Sequence, residues 1–237
     1  MTMDNYLSIT QMLEYNAQHY ADDVALRQKK HGIWQEKTWQ QYCDVSQTIA
    51  AGLRAIGAQH SCHVGIISEN CEEWILAQLG INFIRGVTCG VYPTSPANEV
   101  LHLLTSADCT MVFCEDQEQV DKLIEIEDKL PLLKNIIVFD EKGLKNYQHE
   151  KLMTLSELMN KGKQALAEQP NFVQEWHELQ QPEDTALIVF TSGSTGLPKA
   201  AMISFENMWH EMKVISETIQ TQPGQNILSY LPLCHIA

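Results

Sequence analysis

The sequence predicts an α/β fold: a doubly wound, mostly parallel sheet with flanking helices. Three observations carry this prediction. Short apolar runs alternate with longer amphipathic patterns, the order that places helices over a parallel sheet. The runs are apolar at every position rather than at alternate ones, as in strands covered on both faces. The chain has 237 residues, 44% of them apolar and 19% charged, enough to bury a substantial core.

The elements follow in order. SITQMLEYNAQHY (8–20) sets Ile9, Met12, Leu13 and Ala17 at helical spacing behind Ser8 or Thr10 as the cap. VALRQ and IWQEKTW flank the turn KKHG and predict a hairpin. Residues 39–57 return to helical periodicity through Tyr42, Val45, Ile49, Leu53 and Ile56 and stop at Gly57. From there strand and helix repeat: HVGIIS then EEWILAQLGINFIRG, VTCGVY then ANEVLHLLTSA, TMVFCE then QEQVDKLIEIEDKL, and NIIVFD. Residues 141–183 are richer in Lys, Gln and Glu, with one helix near 154–168, and are expected as a surface excursion. DTALIVF is a strand, AAMISF another, ENMWHEMKVISETI a helix capped by Ser204 or Asn207, and NILSYLPL begins one more strand. The expected organisation is a first α/β subdomain over 1–183, with its excursion at 141–183, and a loop-bearing segment over 184–237 that opens the next core region. Nothing after Leu233 reads as a closing element, so the sequence is expected to be a shortened version of a longer chain.

Sixteen Lys plus Arg stand against thirty Asp plus Glu, a formal charge of -14. Such a field repels nucleic acid and acidic lipid surfaces, so nucleic-acid partners are excluded and an anionic ligand needs a local site. Seven cysteines, odd in number and never spaced as C-x-x-C, fit a reduced cytoplasmic protein. The N-terminus has no signal-peptide pattern and no apolar run is long enough to span a bilayer, so membrane contact is expected to be peripheral at most, at the inner face.

VFTSGSTGLPKAAM (189–202) is the segment with the composition of such a local site. It is not a Walker loop, because Leu197 and Pro198 separate Gly196 from Lys199 and Ala200 follows the lysine. Gly193 and Gly196 let backbone N–H groups approach an anion, Thr191, Ser192, Ser194 and Thr195 add hydroxyl donors, and Lys199 adds charge. Charge-assisted hydrogen bonds of this kind contribute about 1.5–3 kcal/mol each, so a few together hold a polyphosphate. A plain Ser/Gly linker lacks both the flanking strands and the Pro-Lys pair.

Other clusters weigh less. His60, Cys62 and His63 in HSCH supply three metal-type ligands without a fourth, and no metal site is assigned. Trp74 falls at core spacing with Leu76 and Leu79. The carboxylates of EQVDKLIEIEDKL share their helix with lysines and predict a solvated face. Cys234 and His235 are adjacent, and adjacent side chains of a strand point to opposite faces, which argues against a nucleophilic pair.

FTSGSTGLPKAAMIS resembles the signature [YF]-T-S-G-[ST]-T-G-x-P-K-G of the AMP-forming acyl-CoA synthetases, a superfamily that includes luciferases and peptide-synthetase adenylation domains. LRAIGAQHSCHVGIISENCEEWILAQLG and GVTCGVYPTSPANEVLHLLTSADCTMVFCED resemble its early strand-helix units, and LPLCHIA its L-P-L-x-H segment. GIWQEKTWQQY, YPTSP and LPLCHIA resemble the long-chain fatty acid:CoA ligase branch. The resemblance covers essentially the whole chain and corresponds to the incomplete N-terminal domain of an adenylate-forming enzyme.

The resemblance implies two steps. A fatty acid carboxylate attacks the α-phosphorus of ATP, releasing pyrophosphate, and the coenzyme A thiol then displaces AMP. It implies that Thr191, Ser192, Gly193, Ser194, Thr195, Gly196 and Lys199 hold the polyphosphate with Mg2+, Lys199 acting catalytically through charge, and that His235 edges the acyl-adenylate pocket. Two positions depart from the family pattern: Ala200 replaces a glycine and Phe205 a common histidine, both expected to weaken pyrophosphate handling. The Y-G-x-T-E segment, the ribose-binding aspartate, the hinge and the small C-terminal domain with its lysine are not found. An alternative expectation is therefore a catalytically incompetent remnant that retains weak nucleotide or phosphate binding.

Overall fold

The computed structural model describes residues 8–191, 196–220, 222 and 224–235. The chain runs α1 (Ile9–His19), β1 (Val24–Lys30), β2 (Ile33–Thr38), α2 (Trp39–Ala55), β3 (His63–Ile67), α3 (Glu72–Phe83), β4 (Val87–Val91), α4 (Ala97–Ser106), β5 (Cys109–Cys114), α5 (Gln117–Ile126), β6 (Asn135–Val138), β7 (Leu152–Thr154), α6 (Leu155–Glu168), α7 (Gln174–His177), β8 (Thr185–Thr191), β9 (Lys199–Ser204) and α8 (Phe205–Ile219). β1 and β2 form a separate antiparallel hairpin. The other seven strands form one sheet in the order β7-β6-β5-β3-β4-β8-β9, parallel throughout except that β9 runs antiparallel to β8. The predicted doubly wound, mostly parallel sheet is the observed one.

Helix starts obey local chemistry. Ser8, Thr38, Thr154 and Ser204 each accept a hydrogen bond from the third residue of the helix they cap, and that residue's side chain returns to the cap N–H, closing a reciprocal box. Ser204, one of the two caps expected for the last helix, is the one used. Of the two candidates for the first helix, Ser8 is the cap, and Thr10 is fully buried inside it.

The sheet separates two apolar layers. Val64 and Ile66 of β3 face a cluster built from α1, α2, α3 and α6, whereas Ile67 faces one built on α4 and α5. Trp74, Phe83 and Phe113 are among the largest fully buried side chains, each contributing about 1.5–3 kcal/mol by removal from water. Trp74 is therefore a core residue, as its spacing predicts.

Residues 141–183 do more than the expected surface excursion. They add β7 to the sheet edge and lay α6 against α2 so closely that a methyl group at Gly162 would meet the Thr48 carbonyl oxygen at 2.0 Å. Further on, the buried His177 bonds Thr10 Oγ1 through Nε2 (2.9 Å) and faces Glu14 Oε2 through Nδ1 (3.3 Å), which ties the segment to α1. The Arg54 guanidinium lies over both Phe172 (3.9 Å) and Trp176 (4.0 Å), a cation–π contact on two rings. NILSYLPL is a second correction. No strand forms over the described residues of 224–235, and Ile227, Leu228 and Tyr230 are exposed. Among the described residues no helix is long and apolar enough to cross a membrane.

Candidate functional site

In an open parallel sheet the strands end at one side, and a crevice opens where neighbouring connections leave toward opposite faces. That point lies at β3. The chain passes from β3 through α3 to β4 on one side, then crosses back through α4 to β5 on the other. The turn after β3 (residues 68–71) leads to the α3 layer, while the turn after β4 (92–96) leads to the α4 layer.

Two segments singled out from the sequence converge at this end of the sheet. The first is the glycine- and hydroxyl-rich loop. It joins β8 to β9 as the connection of a hairpin whose last pair is Thr191 and Lys199, with Thr191 Oγ1 donating to the Lys199 carbonyl at 3.5 Å. β8 is seated beside β4, so the loop leaves next to the crevice. Thr191, Gly196 and Lys199 are exposed, and a methyl group at Gly196 would meet nothing within 4 Å. Ser192, Gly193, Ser194 and Thr195 lie outside the described residues.

The second segment is Leu231–His235. Cys234 is buried against Gly90, where a methyl group would stand 2.7 Å from the Cys234 Cα, so only glycine allows this approach. Burial pushes the Cys234 thiol up to about 11. His235 is exposed, with its N–H on the Pro232 carbonyl at 3.0 Å. Cys234 is buried and His235 exposed, within a turn rather than a strand.

Side chains that sequence reasoning did not select hold these segments. His102 of α4 bonds the Pro198 carbonyl through Nε2 at 3.1 Å, fixing the end of the loop just before Lys199. Asn70 donates to the Leu231 carbonyl at 2.7 Å and accepts the Leu233 N–H at 2.9 Å. Both had a signal. A histidine interrupts the apolar run VLHLL, and an asparagine stands at a strand-to-helix turn on the carboxyl side of a predicted parallel sheet.

The two departures from the family pattern separate here. Ala200 is exposed on β9 beside the loop. Phe205 is fully buried at the start of α8, six residues beyond Lys199 and so about 20 Å along the chain from the loop end, past the whole of β9. Among the described residues, no group of three or more His, Cys, Asp or Glu side chains is arranged to hold a metal ion. In HSCH the ring of His63 is taken by the Ala107 carbonyl and that of His60 by Ser61.

Two solved structures share the fold: a long-chain-fatty-acid-CoA ligase from Archaeoglobus fulgidus (TM-score 0.77, 16% identity, 98% of this chain and 43% of that one) and a fatty acid AMP ligase from Legionella pneumophila (TM-score 0.70, 18% identity, 96% and 36%). The chain belongs to the AMP-binding enzyme family, whose profile matches residues 13–237. Its curated relatives include the long-chain-fatty-acid–CoA ligase ACSBG2 of Xenopus laevis, 29% identical over 98% of this chain and 31% of the relative. Another is the long-chain-fatty-acid–CoA ligase heimdall of Drosophila melanogaster, also 29% identical, over 97% of this chain and 34% of the relative. The chain spans about a third of the length of these relatives.

Proposed function

We propose that this chain carries the polyphosphate-handling part of a long-chain fatty acid:CoA ligase, which converts a fatty acid and MgATP to acyl-AMP and pyrophosphate and then, with coenzyme A, to acyl-CoA and AMP. The observation that supports it most directly is the pairing of Thr191 with Lys199 at the two open ends of the loop, beside the switch-point crevice.

A carboxylate is a weak nucleophile and pyrophosphate leaves with its charge concentrated on phosphate oxygens. The chain's contribution is to stabilise that charge by position. Lys199, the first residue of β9, supplies an ammonium and its paired residue Thr191 a hydroxyl; the hydroxyls and glycines that the sequence carries at 192–196 are assigned to the same task. Mg2+ enters as the MgATP complex, held chiefly by the phosphates, with oxygen donors of the loop suited to a hard cation. His235, which is exposed, is assigned to the border of the acyl-adenylate pocket. The seven unpaired thiols support a reducing compartment such as the cytoplasm, with any membrane contact peripheral.

The test is exchange of labelled pyrophosphate into ATP by the purified chain in the presence of a long-chain fatty acid. Lys199→Ala is expected to lower exchange about 10²-fold, the usual cost of one preorganised charge-stabilising donor. Exchange that survives Lys199→Ala removes the loop from the reaction. A second reading, a catalytically incompetent binder of nucleotide phosphates, is favoured by the exposure of Ile227, Leu228 and Tyr230, apolar surface that ordinarily packs. ATP binding without exchange supports that reading.

A further inference from the structure

Leu231–His235 makes no ladder hydrogen bonds with the sheet, yet it lies across the carboxyl end of β3 and β4 with Cys234 buried. Something other than strand pairing must fix its backbone. The Asn70 carboxamide does so in the way a peptide group would, its N–H donating to the carbonyl of residue 231 and its oxygen accepting the N–H of residue 233. The turn that carries Asn70 is itself secured. The Glu69 N–H donates to Glu115 Oε2 at the end of β5 (2.8 Å), and Ser68 Oγ donates to the Glu69 carbonyl (2.8 Å). Three neighbouring strands therefore contribute. β3 supplies the turn, β5 braces it through Glu115, and β4 supplies Gly90 as the floor on which Cys234 rests.

We infer that Asn70 is a positioning residue that fixes the Leu231–His235 segment over the switch-point crevice and so sets where His235 stands. Its role in the reaction rests on the reading of His235 as a border of the acyl-adenylate pocket; the backbone latch itself does not. The two halves of the carboxamide have separable duties. The oxygen holds residue 233, adjacent to Cys234, and the N–H holds residue 231, on the far side of Pro232.

The experiment uses the 237-residue chain without substrate. Hydrogen exchange at the Leu233 amide and alkylation of Cys234 by iodoacetamide at pH 8 are compared in wild type, Asn70→Ala and Asn70→Asp, with urea unfolding as a control for overall stability. Asn70→Ala removes both bonds and is expected to raise both rates about tenfold, toward the lower end of what two ordinary hydrogen bonds contribute together. Asn70→Asp keeps the acceptor and loses the donor, so the Leu233 amide should stay slower than in Asn70→Ala. Any general loosening would speed the two variants alike. Wild-type rates in Asn70→Ala, or equal rates in the two variants, overturn the inference, and the Asp variant keeps the comparison decisive if Ala lowers overall stability. ATP binding by wild type, measured by calorimetry alongside, tests the catalytic reading separately. A chain that binds no ATP but shows the Ala–Asp split supports the latch and overturns that reading.

Discussion

His102 illustrates how one side chain can govern a loop it does not belong to. Its bond to the Pro198 carbonyl is made from α4, a helix in the other layer, so the exit of the loop is referenced to the sheet rather than to β9 alone. His102→Phe preserves the ring's bulk and removes the donor. ATP affinity is expected to fall about fivefold, corresponding to one neutral hydrogen bond of about 1 kcal/mol, with partial recovery in His102→Gln, as read by calorimetry. Phe205 behaves differently. It is fully buried at the start of α8, so its side chain takes part in core packing. A motif gives positions along a chain, and only the strand between them shows that one end is at the site and the other in the core.

At the level of elements, the α2–α6 contact is the feature least visible beforehand. Gly52 and Gly162 face the partner helix at distances that exclude a methyl group, the first against the Leu158 carbonyl (2.5 Å) and the second against that of Thr48 (2.0 Å). Gly162→Ala, normally favourable in a helix, should here destabilise the fold by about 1–3 kcal/mol through overpacking, measured by urea unfolding. The central strands were legible because burial on both faces leaves an unbroken apolar run, and the hairpin because its turn chemistry is local. α6 was legible as a helix but not as a core element, since Leu158 and Gly162 form a single narrow buried stripe among Lys, Glu and Gln. β7, three residues long, carries no periodicity to detect. NILSYLPL misled for the opposite reason. Its apolar content fits a strand, but pairing depends on a neighbouring backbone, and the backbone of its last residues is met by the Asn70 side chain. The loop was legible from composition, whereas Asn70 and His102 act on it and on Leu231–His235 from distant points of the sequence.

Across the whole molecule, the seven cysteines give a readout of integrity. Cys43, Cys89, Cys109, Cys114 and Cys234 are buried and Cys62 and Cys71 half-buried; burial pushes the thiols of Cys62 and Cys71 up to about 11. Thiolate, the reactive form, is therefore scarce at pH 8. The native chain should alkylate slowly, at Cys62 and Cys71 first, and release all seven thiols only in denaturant, as followed by mass spectrometry; faster reaction as pH approaches 11 is the expected sign. The formal charge of -14 sets the background against which any phosphate must bind. The antiparallel step from β8 to β9 then has a further meaning. Because the loop joins two strands of a hairpin and does not open a helix, no helix macrodipole would assist it, and a phosphate proposed to bind there would depend on local charge such as that of Lys199. On the proposed function, phosphate recognition built this way would be weakened by ionic strength and would let product pyrophosphate leave readily.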